Sequence, residues 1–146
     1  MHTLAEIEQA IVDRLKQQVP GLRECGSLGS VLLEEIEDLA LRCPAAYVAY
    51  LQGDYGYATS GVQDRRMRFA ITLVVRNEWG DKAARHGRGG EAGVYKLLDD
   101  VRVALTGQTC GLSIDPILPQ SERAEGGSGE LAAYRITIET RCRFTL

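Results

Sequence analysis

Two long segments of the chain alternate apolar and polar side chains with a period of two residues, and this pattern constrains the fold most. Both carry large apolar side chains at alternate positions: Met67, Phe69, Ile71, Leu73 and Val75 in residues 66–77, and Tyr134, Ile136, Ile138, Cys142 and Phe144 near the C-terminus. Because successive side chains of a strand point to opposite faces, each segment predicts a strand with one buried face. The other face would carry Arg68, Arg76, Arg135, Arg141 and Arg143.

Three further stretches have the apolar spacing of amphipathic helices. Thr3 followed by Glu6 has the spacing of a capping box, which predicts a first helix that starts at Leu4 and ends before Val19. The second stretch, residues 31–43, mixes acidic with apolar side chains. The third follows the glycine-rich segment 87–93 and predicts a helix that closes at Thr106 and Gly107.

Shorter apolar runs predict the remaining strands, and clusters of glycine and charge predict loops. Strands are expected at residues 22–25 and 45–51, with at most an edge strand at 112–118, and loops at 53–61 and 120–129. This order lacks the regular alternation of a doubly wound nucleotide-binding fold. We therefore predict an α+β fold in one domain, residues 1–146, with about three helices packed on one face of a mostly antiparallel sheet. The arginine-bearing face would be left as either a solvated face or an assembly surface.

The sequence lacks the residues that nucleotide-binding sites and nucleophilic active sites require. The segment GRGGEA at 87–92 satisfies G-x-G-x-x-G/A, but it follows the preceding strand too distantly for a tight turn, and the lysine and hydroxyl of a P-loop are missing. The two histidines, His2 and His86, provide no evident base for a nucleophile. We predict no enzyme activity, no catalytic residues, no cofactor and no metal site, with a nucleotide-binding module or enzyme as the least favoured alternative.

The four cysteines and the hydropathy of the chain indicate the cellular compartment in which it is synthesised. Cys25, Cys43, Cys110 and Cys142 contain no CxxC pair, so we expect small buried apolar groups rather than a zinc site. No apolar run is long enough to span a bilayer and the first residues do not form a signal-peptide core. We therefore expect cytoplasmic synthesis and no membrane partner.

Charge is unevenly distributed along the chain. The 17 basic and 20 acidic residues give a net charge of −3. Residues 1–43, however, hold four basic and eight acidic side chains, whereas residues 64–88 hold seven basic and three acidic ones, which gives local net charges of −4 and +4. We predict contact between subunits through these two regions. Non-specific passage of DNA along the basic surface is compatible with this prediction.

Five segments of the chain resemble one family. They are LKQQVPGLR at 15–23, PAAYVAYLQG at 44–53, FAITLVVRN at 69–77, AARHGRGGEAGVYKLLDDVRVALTG at 83–107 and LAAYRITIETRCRFTL at 131–146. The chain resembles the tail-terminator family of Mu-like contractile phages and prophages, which also occurs in clusters for phage-tail-like bacteriocins. None of the five segments carries a catalytic motif.

The resemblance implies a structural protein that forms a ring, a homo-hexamer, on the finished end of the tail. Such a ring caps the tail tube and sheath proteins, stops their polymerisation and offers a docking surface to head or neck proteins. The particle would be assembled in the bacterial host cytoplasm, and the protein would then lie at the head-proximal end of the tail in the virion or tail-like particle. A neck, head-completion or collar protein of the same particle is the alternative.

The resemblance also gives the charged residues a hypothetical place, at contacts between subunits or along the lumen of the ring. These residues are Arg65, Arg66, Arg68, Arg85 and Arg88 on the basic side, and Glu34, Glu35 and Asp38 on the acidic side. The strand that ends the chain could in addition pair with a strand of a sheath or neck protein.

Overall fold

Within the part of the chain that the structure describes, five strands form one sheet in the order β1-β2-β3-β5-β4, and three helices accompany it. The computed structural model describes residues 2–27, 42–77, 81–87, 93–127 and 131–145. The strands are β1 Glu24–Ser27, β2 Ala45–Thr59, β3 Val62–Arg76, β4 Leu118–Gly127 and β5 Leu131–Thr145, and the helices are α1 Leu4–Gln18, α2 Asp81–His86 and α3 Val94–Leu105. All neighbouring strands are antiparallel except β1 and β2. The predicted α+β class is confirmed.

The two strands with the strongest alternation form the centre of the sheet. β3 and β5 pair without a register shift from Val62 opposite Thr145 to Arg76 opposite Leu131. The predicted apolar side chains of β3 face the core, and Phe69, Ile71 and Leu73 have no exposed surface. Burial of these side chains is the main favourable contribution to folding.

Helices α1 and α3 cover this apolar face of the sheet. Side chains spaced by three or four residues bury one stripe of each helix, namely Ile7, Ile11 and Leu15 on α1 and Leu97, Val101 and Leu105 on α3. The capping box that begins α1 is present, because the Glu6 amide donates to the Thr3 hydroxyl over 3.1 Å and the Glu6 carboxylate accepts from the Thr3 amide. Before α3, a Cβ on Gly93 would collide with the backbone of Arg85 and Gly87, so only glycine fits there.

Two predicted loops are wrong because strand pairing extends through them. β2 continues to Thr59 along β3, with register shifts at Leu51 and Ala58 while Gly53 and Gly56 stay paired, so only Ser60 and Gly61 form the turn. Residues 118–127 form β4, although glycine and mixed charges predicted a loop. The backbone N–H and C=O groups of β4 form hydrogen bonds with β5. This pairing outweighs the low strand propensity of glycine and charged residues.

Other predicted elements differ in position. The edge strand predicted at 112–118 is wrong, because residues 112–117 form turns and irregular backbone in which the Ile117 amide and carbonyl bond to Gln108 and Gly107. The strand predicted at 22–25 is β1, shifted to Glu24–Ser27. Most of the helix predicted over residues 31–43 lies outside the described residues, and so do residues 88–92 of the glycine-rich segment.

The face of the sheet opposite α1 and α3 divides into two halves. Near the start of β2 and the end of β3 it buries small and apolar side chains, namely Cys43, Ala45, Tyr47, Val74 and Leu131. The Tyr47 hydroxyl donates to the Glu24 carboxylate over 2.6 Å, and Arg42 contacts the same carboxylate at 3.1 Å. The prediction that the whole face is left uncovered is therefore wrong for this half, because these side chains are buried.

We predict that Ile71→Asp destabilises the protein and that Thr72→Asp does not. Ile71 has no exposed surface, whereas Thr72 points to the opposite face beside Arg135. Burying an unpaired carboxylate should lower the free energy of unfolding by ~4 kcal/mol or more, against less than about 1 kcal/mol for the control. Urea denaturation of both variants measures this difference. Equal stability of the two would contradict the strand orientation.

We also predict low thiol reactivity in the folded protein. Cys25, Cys43 and Cys142 are buried and Cys110 is half-buried. Burial raises the pKa of Cys110 and of Cys142, and it raises that of Cys25 to about 11 from 9.0. At pH 8 a chromogenic disulfide reagent should therefore label at most Cys110 quickly, and all four thiols in denaturant.

Candidate functional site: the arginine face

The other half of the sheet face opposite α1 and α3 is lined with arginines, and we call it the arginine face. It is formed by the middle of β4, by β5 from Arg135 to Arg143 and by the first half of β3. Its six arginines are Arg66, Arg68, Arg123, Arg135, Arg141 and Arg143. They share one side of the sheet because Arg66 lies opposite Arg141 and Arg123 opposite Arg135 in the strand register.

Each of three carboxylates on this face lies between two arginines. The Glu139 carboxylate is 3.3 Å from Arg68 Nε and 3.8 Å from Arg66 Nε. Arg68 is the direct cross-strand neighbour of Glu139, and Arg66 is two residues further along β3 on the same face. The two-residue period of the strand thus places both guanidinium groups around one acid.

The same arrangement occurs at the end of the strands and at the edge of the sheet. Asp64 Oδ1 is 2.9 Å from Arg143 Nε, and Asp64 Oδ2 is 3.8 Å from Arg141 Nη1. On β4, Glu125 Oε1 lies 2.6 Å from Arg123 Nε and 3.2 Å from Arg135 Nε. Six arginines therefore share three carboxylates across the face.

This sharing leaves hydrogen-bond donors in excess at the surface. A guanidinium group has five N–H donors, while each carboxylate is divided between two such groups and lies deeper than most of its partners. The side chains of Asp64 and Glu139 are 18% and 21% exposed, against 54% for Arg66 and 57% for Arg143. Even with Asp54 and Asp115 at its margin, the part of the face that the structure describes has one more arginine than acid. It can therefore bind anionic groups from a partner.

The charge of Arg141 is held in place by Asp115. Arg141 Nε donates to Asp115 Oδ2 over 2.9 Å, and this hydrogen bond raises the pKa of Arg141. A guanidinium group is charged at any physiological pH. The positive charge that the arginines give this face therefore does not depend on pH in that range.

The stability of the fold does not account for such a set of charges. Exposed ion pairs contribute little to stability, typically below about 1 kcal/mol each. A cleft of about 160 Å³ lies on this face beside Arg66, Asp115 and Arg141. That volume is smaller than the roughly 300 Å³ of a typical small-molecule site. The arginine face is suited to an extended anionic surface rather than to a small ligand.

The structure separates the arginines that the sequence grouped together. Arg66 and Arg68 lie on the arginine face, but Arg65 points to the opposite side, where its guanidinium group lies 5.6 Å from the centre of the Tyr55 ring. A hydrogen bond with Tyr50 raises the pKa of Arg65. Arg85 is half-buried at the end of α2. Arg88, Glu34, Glu35 and Asp38 lie outside the described residues.

Sequence reasoning missed the part of the face that β4 contributes. Arg123 and Glu125 fell in a predicted loop, where no strand period could be assigned to them. Their alternation in Glu122-Arg123-Ala124-Glu125 was the available signal, because Arg123 and Glu125 are two residues apart. The shared carboxylates depend on register between strands distant in sequence, and no local pattern reveals that register.

Neither a metal-binding cluster nor a membrane-spanning helix is present in the described ranges. No group of three or more histidine, cysteine, aspartate or glutamate side chains there is arranged to hold a metal ion. None of the helices described has the length and apolar character needed to cross a membrane.

Comparison with known proteins supports a structural role. The sequence model of the family described as "Bacteriophage Mu, Gp37" matches residues 3–142, which is nearly the whole chain. No curated protein matches the chain significantly. The family match confirms the resemblance to a Mu-like phage family and indicates a phage structural protein related to the tail. The chain, with its mostly antiparallel sheet and arginine face, belongs to the Bacteriophage Mu Gp37 family.

Proposed function

We propose that this protein is the tail terminator of a contractile phage-type tail. Six copies form a ring on the finished end of the tail tube, which then no longer accepts another ring of tube or sheath subunits. The upper side of the ring is the docking surface for head or neck proteins. The protein acts through binding and shape alone, without a catalytic step or cofactor.

The arginine face is the observation that supports assembly as this mode of action. A ring of identical subunits needs two different complementary surfaces on each copy. The arginine face offers one of them. The first 43 residues carry a net charge of −4 in the sequence, and we propose that they supply acidic groups for the other. Within them, α1 exposes Glu6 and Asp13 on the side of the sheet opposite the arginine face. One copy can thus meet the next with opposite charges.

A second role for the arginine face is contact with DNA that passes through the ring. Phosphate groups are anions that guanidinium groups bind well, and non-specific binding of this kind requires no base recognition. In this arrangement the arginine face would line the lumen. Both roles place the protein at the head-proximal end of the tail, in a phage virion or in a tail-like particle.

A capping assay with a charge-reversed arginine face tests the proposal. Wild-type protein added to growing tail tubes should give tubes of limited length, each with a ring at one end, in negative-stain electron microscopy. The variant Arg66→Glu/Arg68→Glu should leave tubes uncapped, because the reversed charges repel acidic partners. The control Lys16→Glu/Lys96→Glu makes the same change in net charge at exposed positions on α1 and α3 and should cap normally.

Two further measurements complete the test. The milder variant Arg66→Gln/Arg68→Gln removes the charge without placing new acids beside Glu139, and it should also lose capping while its thermal unfolding resembles that of wild type. Raising the ionic strength from about 0.05 to about 0.5 M should weaken capping by wild type, because salt screens exposed charges. Wild-type protein that binds only the portal-proximal neck, and never a tube, would contradict the proposal and favour the neck or collar role.

A further inference from the structure

The far end of the β2–β3 hairpin exposes an aromatic surface that the core does not use, and we call it the tyrosine tip. Tyr55 and Tyr57 lie on the same side of the sheet as Phe69, but they are 60% and 81% exposed. The Tyr55 ring meets Phe144 edge to face, with 6.3 Å between centroids. The Arg65 guanidinium group lies beside the Tyr55 ring. The apolar face of the sheet thus continues past the region that the helices cover.

Backbone pairing between strands holds the tyrosine tip, with one register shift between Tyr57 and Thr59. β2 and β3 remain paired as far as Thr59 opposite Val62, and β5 accompanies β3 to the same level. Gly61 takes the positive φ of 78° that the two-residue turn requires. Tyrosine itself has few rotatable bonds, so an exposed tyrosine on a paired strand loses little entropy when it binds.

A groove at the other end of the sheet is lined by aromatic side chains and has acidic groups at its rim, so it could receive the tyrosine tip and Arg65. It has a volume of about 420 Å³, lies between α3 and β4, and is lined by Tyr95, Leu98, Asp99, Glu122, Arg123 and Tyr134. The Tyr95 and Tyr134 rings stand edge to face at 6.2 Å and form an aromatic wall. The rim carries the acidic groups Glu122 and Asp99, of which Asp99 lies 3.7 Å from Arg102, while Arg123 is paired with Glu125.

The tyrosine tip cannot reach the groove of its own chain. Phe144 marks the level of the tip on β5 and Tyr134 marks the level of the groove, so ten residues of paired strand separate them. At about 3.3 Å per residue this distance is roughly 30 Å. An occupant with the shape of the tip must therefore come from another molecule.

We propose that the tyrosine tip of one subunit inserts into the α3–β4 groove of a second copy of this chain. Tyr57 meets the aromatic wall formed by Tyr95 and Tyr134, and Arg65 faces the rim acids Asp99 and Glu122. Because tip and groove lie at opposite ends of the subunit, the contact is directional and repeats from copy to copy, as a closed ring requires. The inference rests on the ring proposed above and names the contact that joins its subunits.

Cross-linking between two different variants tests this contact. Full-length Tyr57→Cys and full-length Asp99→Cys are mixed, assembled and oxidised, and denaturing electrophoresis without reductant then shows whether a covalent dimer forms. Both positions are highly exposed, so neither substitution should disturb folding. The control mixes Tyr57→Cys with Gln17→Cys, which is also an exposed position, on α1. The dimer should form at least tenfold more in the 57–99 mixture than in the control.

The outcomes separate this inference from the proposed function. Rings that form and cap tubes without a 57–99 cross-link overturn the tip-in-groove contact and leave the tail-terminator role standing. Cross-linking of Tyr57→Cys to itself in preference to Asp99→Cys also overturns the contact, because it places two tips together. A 57–99 cross-link in protein that never caps a tube supports the contact and contradicts the capping role.

Discussion

The uninterrupted pairing of β3 with β5 is the interaction on which the rest of the structure depends. It joins residues about 70 positions apart in sequence and runs along the whole length of both strands. Because the side chains of a strand alternate, this one register decides which residues enter the core and which meet a partner. A slip of β5 by one residue against β3 would move Ile136 and Ile138 to the opposite face of the sheet and bring Arg135 and Arg141 towards the core.

The same register explains how a surface can carry six arginines without destabilising repulsion. Glu139 and Asp64 occupy positions opposite or two residues from guanidinium groups, so each acid lowers the repulsion between two arginines. The acids are partly covered while the arginines extend outwards. The fold therefore tolerates a dense positive surface and still presents hydrogen-bond donors to other molecules. Such a surface is of use mainly in binding, because its ion pairs contribute little to stability.

The two ends of the β3–β5 pair have different characters. At one end the strands extend beyond the helices as the tyrosine tip, and at the other α3 and β4 leave a groove with aromatic walls. A subunit with a projection at one end and a recess at the other can contact its copies head to tail. Together with the arginine face, this asymmetry suits a protein of the Bacteriophage Mu Gp37 family that we propose to act by assembling with copies of itself.

The sequence by itself determined the local features of this protein. The alternation in residues 66–77 and 134–144, the capping box at Thr3 and Glu6, and the apolar stripes of α1 and α3 predicted the α+β class and the buried face of the sheet, because those signals come from neighbouring residues. Tertiary structure alone decided the rest. β4 is a strand because β5 pairs with it, and Arg65 is separated from Arg66 because adjacent residues of a paired strand face opposite sides. The shared carboxylates and the groove arise only where distant strands come together, and local spacing holds no information about such pairings.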